Sequence, residues 1–132
     1  MDKVAKQFLN SLKCPICSAQ IDMIKMRAID FSNFACVNDK YHYNLYYQYI
    51  QVPFLVIQET VRIYDNNKLY EIFQSCDGSL STEITVKDVD KEYRVLDKKK
   101  TLSFRYDKKL FDFSKSNRES ILNRVKTILV FQ

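Results

Sequence analysis

The sequence predicts an α+β protein: an N-terminal module containing Cys and His residues leads into an antiparallel β-meander, and a C-terminal helix packs on the meander. Three observations support this fold class. Four potential metal ligands fall in the first third of the chain, turn signals recur after Pro53, and an apolar stripe at helical spacing closes the sequence. With 132 residues and a hydrophobic fraction of 46%, the chain suits one compact unit. We expect segment 1–50 to hold the module and segment 51–132 to hold the meander and helix.

The N-terminal segment begins with a predicted short amphipathic helix over residues 2–12. Two short strands are expected within residues 19–35, and the second of them would deliver Cys36 to the module. A third strand is expected over 41–49, where alternate positions are mostly tyrosine. Such an aromatic row can fill a small core, or it can be a platform on which nucleic-acid bases stack.

The strongest motif is Cys14-Pro-Ile-Cys17, followed by Cys36 and then by His42, the only histidine of the chain. Two thiolates three positions apart can reach one ion from a single turn, and a second Cys/His pair completes a tetrahedral set. A closed set of three Cys and one His is typical of a structural metal site, so we predict one structural Zn²⁺. Asp39 is the alternative to His42 as an oxygen ligand.

This ligand pattern resembles the zinc-ribbon family over about residues 12–50. In that family each ligand pair sits on its own knuckle, and strands lie between the knuckles. The chain departs from the family pattern in two respects: its second pair is Cys-x5-His, and neither knuckle carries the usual glycine. The resemblance implies an accessory protein of the transcription, replication or translation machinery.

After Pro53, β-branched and aromatic runs alternate with polar turns, which predicts about six antiparallel strands. The two clearest turns are Asp65–Lys68 and the Asp-Gly turn at Cys76–Ser79. The expected strands are 54–64, 69–75, 80–87, 93–96, 101–106 and 110–113. Ser116 and Glu119 predict a capping box for a final helix. Its apolar stripe consists of Ile121, Leu122, Val125, Ile128 and Leu129.

The net charge of +5 is concentrated in residues 91–132, which contain twelve Lys or Arg against five Asp or Glu. Such asymmetry indicates an anionic partner. We therefore predict that the protein contacts nucleic acid or a nucleic-acid-processing complex. The expected contact residues are Lys98, Lys99, Lys100, Arg105, Lys108 and Lys109. The alternative is a protein-interaction or assembly component in which these lysines only keep hairpin turns soluble and zinc is only a fold staple.

The sequence disfavours other classes of function. It has no Gly-rich phosphate loop, no paired acid and base, and no His-x-Glu before its Cys-x-x-Cys, so we predict no enzyme activity and no small-molecule substrate. Cys76 is expected to be a stray thiol. We expect a cytoplasmic protein without a membrane segment, because no apolar run approaches about 20 residues. Heavy use of Tyr, Phe, Ile, Lys and Asn is typical of AT-rich genomes, including those of many phages.

Overall fold

The computed structural model describes residues 11–28, 31–48, 55–92, 94–96 and 100–131. The strands in these ranges are β1 (Ile21–Ala28), β2 (Phe31–Cys36), β3 (Tyr43–Gln48), β4 (Leu55–Asp65), β5 (Lys68–Ser75), β6 (Ser81–Asp88) and β7 (Leu102–Tyr106). A short 3-10 turn at Phe113–Lys115 then leads into helix α1 (Arg118–Val130). The helix predicted over residues 2–12 lies almost entirely outside the described residues.

All seven strands belong to one sheet, and each pairs antiparallel with its neighbour in chain order. The predicted antiparallel sheet with a C-terminal helix is therefore confirmed. β3 pairs with β4, so the sheet continues across the expected boundary between segments 1–50 and 51–132. The two strands expected within residues 19–35 are β1 and β2, and Cys36 ends β2 as predicted.

The turn between β4 and β5 shows how the local sequence sets the register. Asn66 and Asn67 have φ values of 48° and 63°, in the left-handed region that Asn tolerates better than most residues. Positive φ at both central positions is the signature of a two-residue hairpin turn, and it brings Asp65 opposite Lys68. The turn predicted at Asp65–Lys68 is therefore confirmed.

The core lies between one face of the sheet and α1. Alternate residues of adjacent strands meet on that face, as in the fully buried row of Val61, Ile72 and Ile84. The helix contributes its own buried residues to the same apolar cluster: Ile121, Leu122 and Val125. Its predicted apolar stripe is thus confirmed, and burial of this stripe against the sheet stabilises the helix.

The strand predicted over 93–96 is wrong. In the described part of this segment, Val95 makes only an isolated bridge with Val89. The carboxylate of Asp90 accepts hydrogen bonds from the backbone N–H groups of Glu92 and Arg94, each at 2.9 Å. The backbone N–H of Asp90 in turn donates to the carbonyl of Arg94. The backbone groups of this segment therefore bond within their own loop and do not form a strand ladder.

The strand predicted over 110–113 is also wrong, because side chains take up the backbone groups that a strand would have used. The amide of Gln74 accepts from the N–H of Phe111 at 2.9 Å and donates to its carbonyl at 3.1 Å. The hydroxyl of Thr82 accepts from the N–H of Leu110 at 3.0 Å and lies 2.8 Å from the carbonyl of Lys108. The segment after β7 is thus fixed to the sheet without a backbone ladder.

The capping box of α1 lies one residue later than predicted. Asn117 accepts from the N–H of Ser120 at 2.9 Å, and the hydroxyl of Ser120 accepts from the N–H of Asn117 at 3.0 Å. Ser116 is not the cap, because its hydroxyl donates to the carbonyl of Asp112 at 2.6 Å. The sequence alone cannot show this competing acceptor.

Candidate metal centre

The first ligand pair sits in a tight turn that the backbone closes on both sides. The N–H of Cys14 donates to the carbonyl of Ala19, and the N–H of Ser18 donates to the carbonyl of Cys14, both at 2.8 Å. A bridge between Lys13 and Gln20 joins the ends of this turn. Ser18 has a φ of 63°, so it occupies the left-handed position for which glycine is the usual choice.

The second ligand pair is delivered by β2 and by the turn before β3. Cys36 pairs with Ile21, which directly follows the first turn, so the β1–β2 hairpin returns the chain to Cys14 and Cys17. The carbonyl of His42 accepts from the N–H of Arg62 at 3.1 Å, which ties the histidine to β4. Sheet pairing, as well as the local turns, therefore sets where Cys36 and His42 lie.

The structure brings all four predicted ligands together. One ligand atom from each of Cys14, Cys17, Cys36 and His42 lies within 4.8 Å of the others. The sulfurs of Cys17 and Cys36 are 3.4 Å apart, too far for a disulfide and close to the roughly 3.8 Å that two sulfurs span in a tetrahedral site. The cluster is compatible with a metal ion held by three sulfurs and one nitrogen.

The environment of His42 gives a separate test of this fit. Its Nδ1 is buried and has no hydrogen-bonding partner among the described residues, which costs free energy unless a ligand satisfies the nitrogen. Its Nε2 lies 3.7 Å from a carboxylate oxygen of Asp39. A metal-binding histidine typically has a carboxylate beside its other ring nitrogen, and this arrangement fits coordination through Nδ1.

Asp39 has a second contact that explains its place. Its Oδ1 accepts from the N–H of Tyr41 at 2.8 Å, so the residue stabilises the turn that carries His42. Asp39 thus lies behind the histidine and is not one of the four clustered ligands. The alternative of Asp39 as an oxygen ligand gains no support from this placement.

The thiols of the cluster differ in their proton affinity. Burial raises the pKa of Cys14 to about 12. Burial also acts to raise the pKa of Cys17, but the backbone of Ala19 and the neighbouring side chains of His42, Cys36 and Cys14 lower it to about 7. Because metal ligation requires thiolates, a bound cation would have to displace the Cys14 proton, and binding would release protons.

Cys76 lies outside the cluster and differs from it chemically. Burial and the nearby carboxylate of Glu59 raise the pKa of Cys76 to about 12, and its sulfur lies 3.5 Å from Glu59 Oε1. A protonated, half-buried thiol is a poor nucleophile. This placement agrees with the expectation of a stray thiol.

The structure spreads the described basic residues around β7. Lys100 precedes the strand and Lys108 follows it, so roughly 13 Å of strand separates them. Arg105 is exposed and lies 3.8 Å from Asp107. Lys109 lies 3.8 Å from the buried carboxylate of Glu59, which it helps to neutralise. Lys98 and Lys99 lie outside the described residues.

The tyrosine row divides between core and surface. Tyr43 and Tyr47 are buried in the core, and the hydroxyl of Tyr43 donates to Glu59 at 3.0 Å. Tyr41 lies just before β3 and is 52% exposed. The core interpretation therefore holds for the strand itself, whereas the first tyrosine of the row is a surface residue.

The sequence alone does not reveal the carboxylate beside His42 or a group of polar residues in the core. The spacing of Asp39 suggests a possible ligand but gives no sign that its carboxylate lies beside His42 Nε2. Glu59, Gln74 and Thr82 are polar residues on the buried face of the sheet, and their alternation with apolar neighbours gave no warning of this. Gln74 and Thr82 face each other across β5 and β6, and this pairing becomes evident only in the folded sheet.

Comparison with known proteins gives no further identification: no protein family, curated protein or solved structure matches the chain. Within the described residues, no helix combines the length and apolarity needed to cross a bilayer. The geometry defines the protein as an antiparallel sheet with a C-terminal helix and a clustered Cys₃His set.

Proposed function

We propose that this is a non-enzymatic zinc-binding accessory protein that works with nucleic acid or with the transcription or replication machinery. The observation that carries the proposal is the convergence of Cys14, Cys17, Cys36 and His42 within 4.8 Å. Three soft sulfur ligands with one imidazole favour Zn²⁺ over hard cations such as Mg²⁺ or Ca²⁺. Four protein ligands leave no open coordination position, which supports a structural ion.

We also propose that residues 12–50 form a zinc ribbon. The first pair lies in a turn, the β1–β2 hairpin follows, and Cys36 and His42 come next, which is the order that the resemblance implies. Ser18 in the left-handed conformation supports this proposal, because it fills the backbone role of the missing knuckle glycine.

Elemental analysis tests the metal part of the proposal. Protein purified without metal supplements should contain one equivalent of zinc, and Cys36→Ser should lose most of it. Cys76→Ser is the matched control, since this cysteine lies outside the cluster, and it should keep the full equivalent. Absence of zinc from the wild-type protein, or equal zinc in Cys36→Ser and wild type, would reject the site.

The nucleic-acid part of the proposal rests on the net charge of +5 and on the exposed cations near β7. Binding should weaken as salt increases, because each phosphate contact releases counterions. Replacing Lys98, Lys99 and Lys100 with Gln should lower the log–log salt slope by at most about 0.9 per lost duplex contact. Lys109 is a poor choice for this test, because its removal would leave Glu59 without its cation.

The second candidate is a protein-interaction component in which zinc is only a fold staple. Exposed apolar side chains favour it: Leu96 and Leu102 flank the start of β7, and Val130 and Phe131 end α1. A wild-type protein that binds neither DNA nor RNA at low salt would put this candidate first.

A further inference from the structure

A groove of about 420 Å³ lies beside the metal centre, at the end of the sheet where β3 begins. The turn carrying His42 forms one wall, Arg62 and Tyr64 of β4 form another, and Arg118 of α1 closes the end. The groove therefore adjoins the metal site, and His42 is the member of the Cys/His cluster that lines it.

The ring of Tyr41 lies in this groove with two cations close to it. It is 52% exposed, Lys40 Nζ lies 5.2 Å from its centroid, and the guanidinium carbon of Arg62 lies 5.3 Å from it. The hydrogen bond from its N–H to Asp39 fixes the backbone of the turn. Single-strand binders combine an exposed aromatic ring, on which a base stacks, with nearby positive charges that contact the backbone phosphates.

The charges around the ring favour an anion. Glu71 is the carboxylate that faces Arg62, and it is shared with Lys87 at 2.7 Å. Arg62 uses its Nε for that pair, and within the described residues its η nitrogens have no hydrogen-bonding partner. Lys40 likewise makes no ion pair in the described part of the chain. Asp39 is the acidic residue of the groove, and it lies beside His42.

Arg118 contributes less to this balance. Its guanidinium donates to the carbonyl of Tyr64 at 2.7 Å and pairs with Asp65 and Glu119 at 3.6 and 2.9 Å. It therefore acts as the end wall of the groove. The residues available to contact a ligand are therefore Tyr41, Lys40 and Arg62.

We propose that this groove binds a segment of single-stranded nucleic acid, with one base stacked on Tyr41 and an adjacent phosphate contacted by Lys40 and Arg62. The inference rests on the proposed nucleic-acid function and places its contact site beside the metal centre. It favours a single strand because a base must leave its own stack to meet an aromatic ring. The turn that carries His42, together with its hydrogen bond to β4, holds Tyr41 in place.

Fluorescence anisotropy with labelled twelve-nucleotide oligo-dT and oligo-rU tests the stacking contact on the full zinc-loaded chain. Tyr41→Ala should weaken binding at least about fivefold, the lower limit for loss of one stacked base. Tyr41→Phe should bind like the wild type, because the ring is kept. Phe73→Ala is the matched control: this aromatic is 38% exposed on β5, outside the groove, and its loss should leave affinity unchanged.

The phosphate contact has its own readout in the salt dependence. Arg62→Gln should lower the log–log salt slope by about 0.7 per lost single-strand contact. Glu71 keeps Lys87 as a partner in this variant, so the fold should persist. Lys68→Gln is the control, because Lys68 is an exposed hairpin cation paired with Asp88 outside the groove. Zinc content is measured in each variant, because Tyr41 adjoins a ligand.

The outcomes separate the groove from the broader function. If the wild type binds and Tyr41→Ala binds equally well, the groove is wrong and the proposed function survives. Loss of binding only on replacing Lys100, Arg105 and Lys108 would move the contact to β7 and overturn the groove. No binding by the wild type at low salt would overturn both proposals. If Tyr41→Ala loses zinc, its affinity no longer reports on stacking alone. The salt slope of Arg62→Gln then tests the groove proposal, and an unchanged slope would overturn it.

Discussion

Replacing the buried Gln74 with leucine should destabilise the protein strongly, although leucine has a similar size and is apolar. Gln74 is 0% exposed, and its amide makes three hydrogen bonds. The NH₂ group donates to Glu59 and to the carbonyl of Phe111, while the oxygen accepts from the N–H of Phe111 and lies 3.1 Å from the hydroxyl of Thr82. Gln74→Leu removes every one of these bonds at once.

The expected magnitude follows from the groups that lose their partner. Both backbone groups of Phe111 and one oxygen of Glu59 lose a hydrogen bond, and each such group costs about 1–3 kcal/mol when buried. Taking the lower value for each, because water can reach a relaxed segment, gives a loss of about 3 kcal/mol. The affected segment carries Lys108 and Lys109, so their positions should also become less fixed.

Urea denaturation of the zinc-loaded protein measures this loss. The matched control is Gln58→Leu, which makes the same change at an exposed position of β4 and should alter stability by less than about 0.5 kcal/mol. A Gln74→Leu protein as stable as this control would contradict the predicted loss. It would mean that the segment after β7 does not depend on side-chain hydrogen bonds for its attachment.

Four further predictions concern other parts of the molecule. Ser18→Gly should raise stability by up to about 1 kcal/mol in thermal melts, because it relieves a positive φ at an exposed site; a loss would show that the serine side chain matters. Leu122→Asp should lower the free energy of unfolding by about 3 kcal/mol or more, since it buries an unpaired charge, and a wild-type melting temperature would show that α1 is not packed on the sheet. Asp39→Asn should weaken zinc binding about 10–100-fold in a chelator competition, because the histidine loses its carboxylate partner; unchanged affinity would assign Asp39 to the turn alone. Burial acts to raise the pKa of Glu71, but Lys87 and a neighbouring arginine outweigh it and hold that pKa below its ordinary value of 4.5. These ion pairs therefore stabilise the fold fully only above that ordinary value, and their stabilisation is lost as pH falls through the lowered pKa. Lys87→Met should flatten this acid loss, measured as the free energy of unfolding against pH.

The sequence was sufficient to predict the Cys/His cluster, because residue type and spacing alone identify its members. Soft ligands are rare, and the chain has one histidine, so the set Cys14, Cys17, Cys36 and His42 needed no knowledge of the fold. The hairpins were predictable for a similar reason. Asn66 and Asn67 tolerate positive φ, which fixes the turn and hence the strands on either side of it.

Other features depend on residues distant in sequence, and the sequence could not reveal them. The segment at Phe111 looks like a strand from its own residues, but Gln74 lies 37 positions away and takes its hydrogen bonds. The cap of α1 shifted because Ser116 found the carbonyl of Asp112. Both errors arise from competition between local propensity and a hydrogen-bonding partner that only the folded chain supplies.

X-ray absorption at the zinc edge is the decisive measurement on the proposed metal centre, because it reports the atoms bound to the ion. We predict three sulfurs at about 2.3 Å and one nitrogen at about 2.0–2.1 Å. Cys36→Ser should lose one sulfur from this shell or lose the metal altogether, while Cys76→Ser should give an unchanged spectrum. A wild-type shell of oxygen and nitrogen alone, or one with fewer than three sulfurs, would contradict the assignment of Cys14, Cys17, Cys36 and His42 as the metal centre.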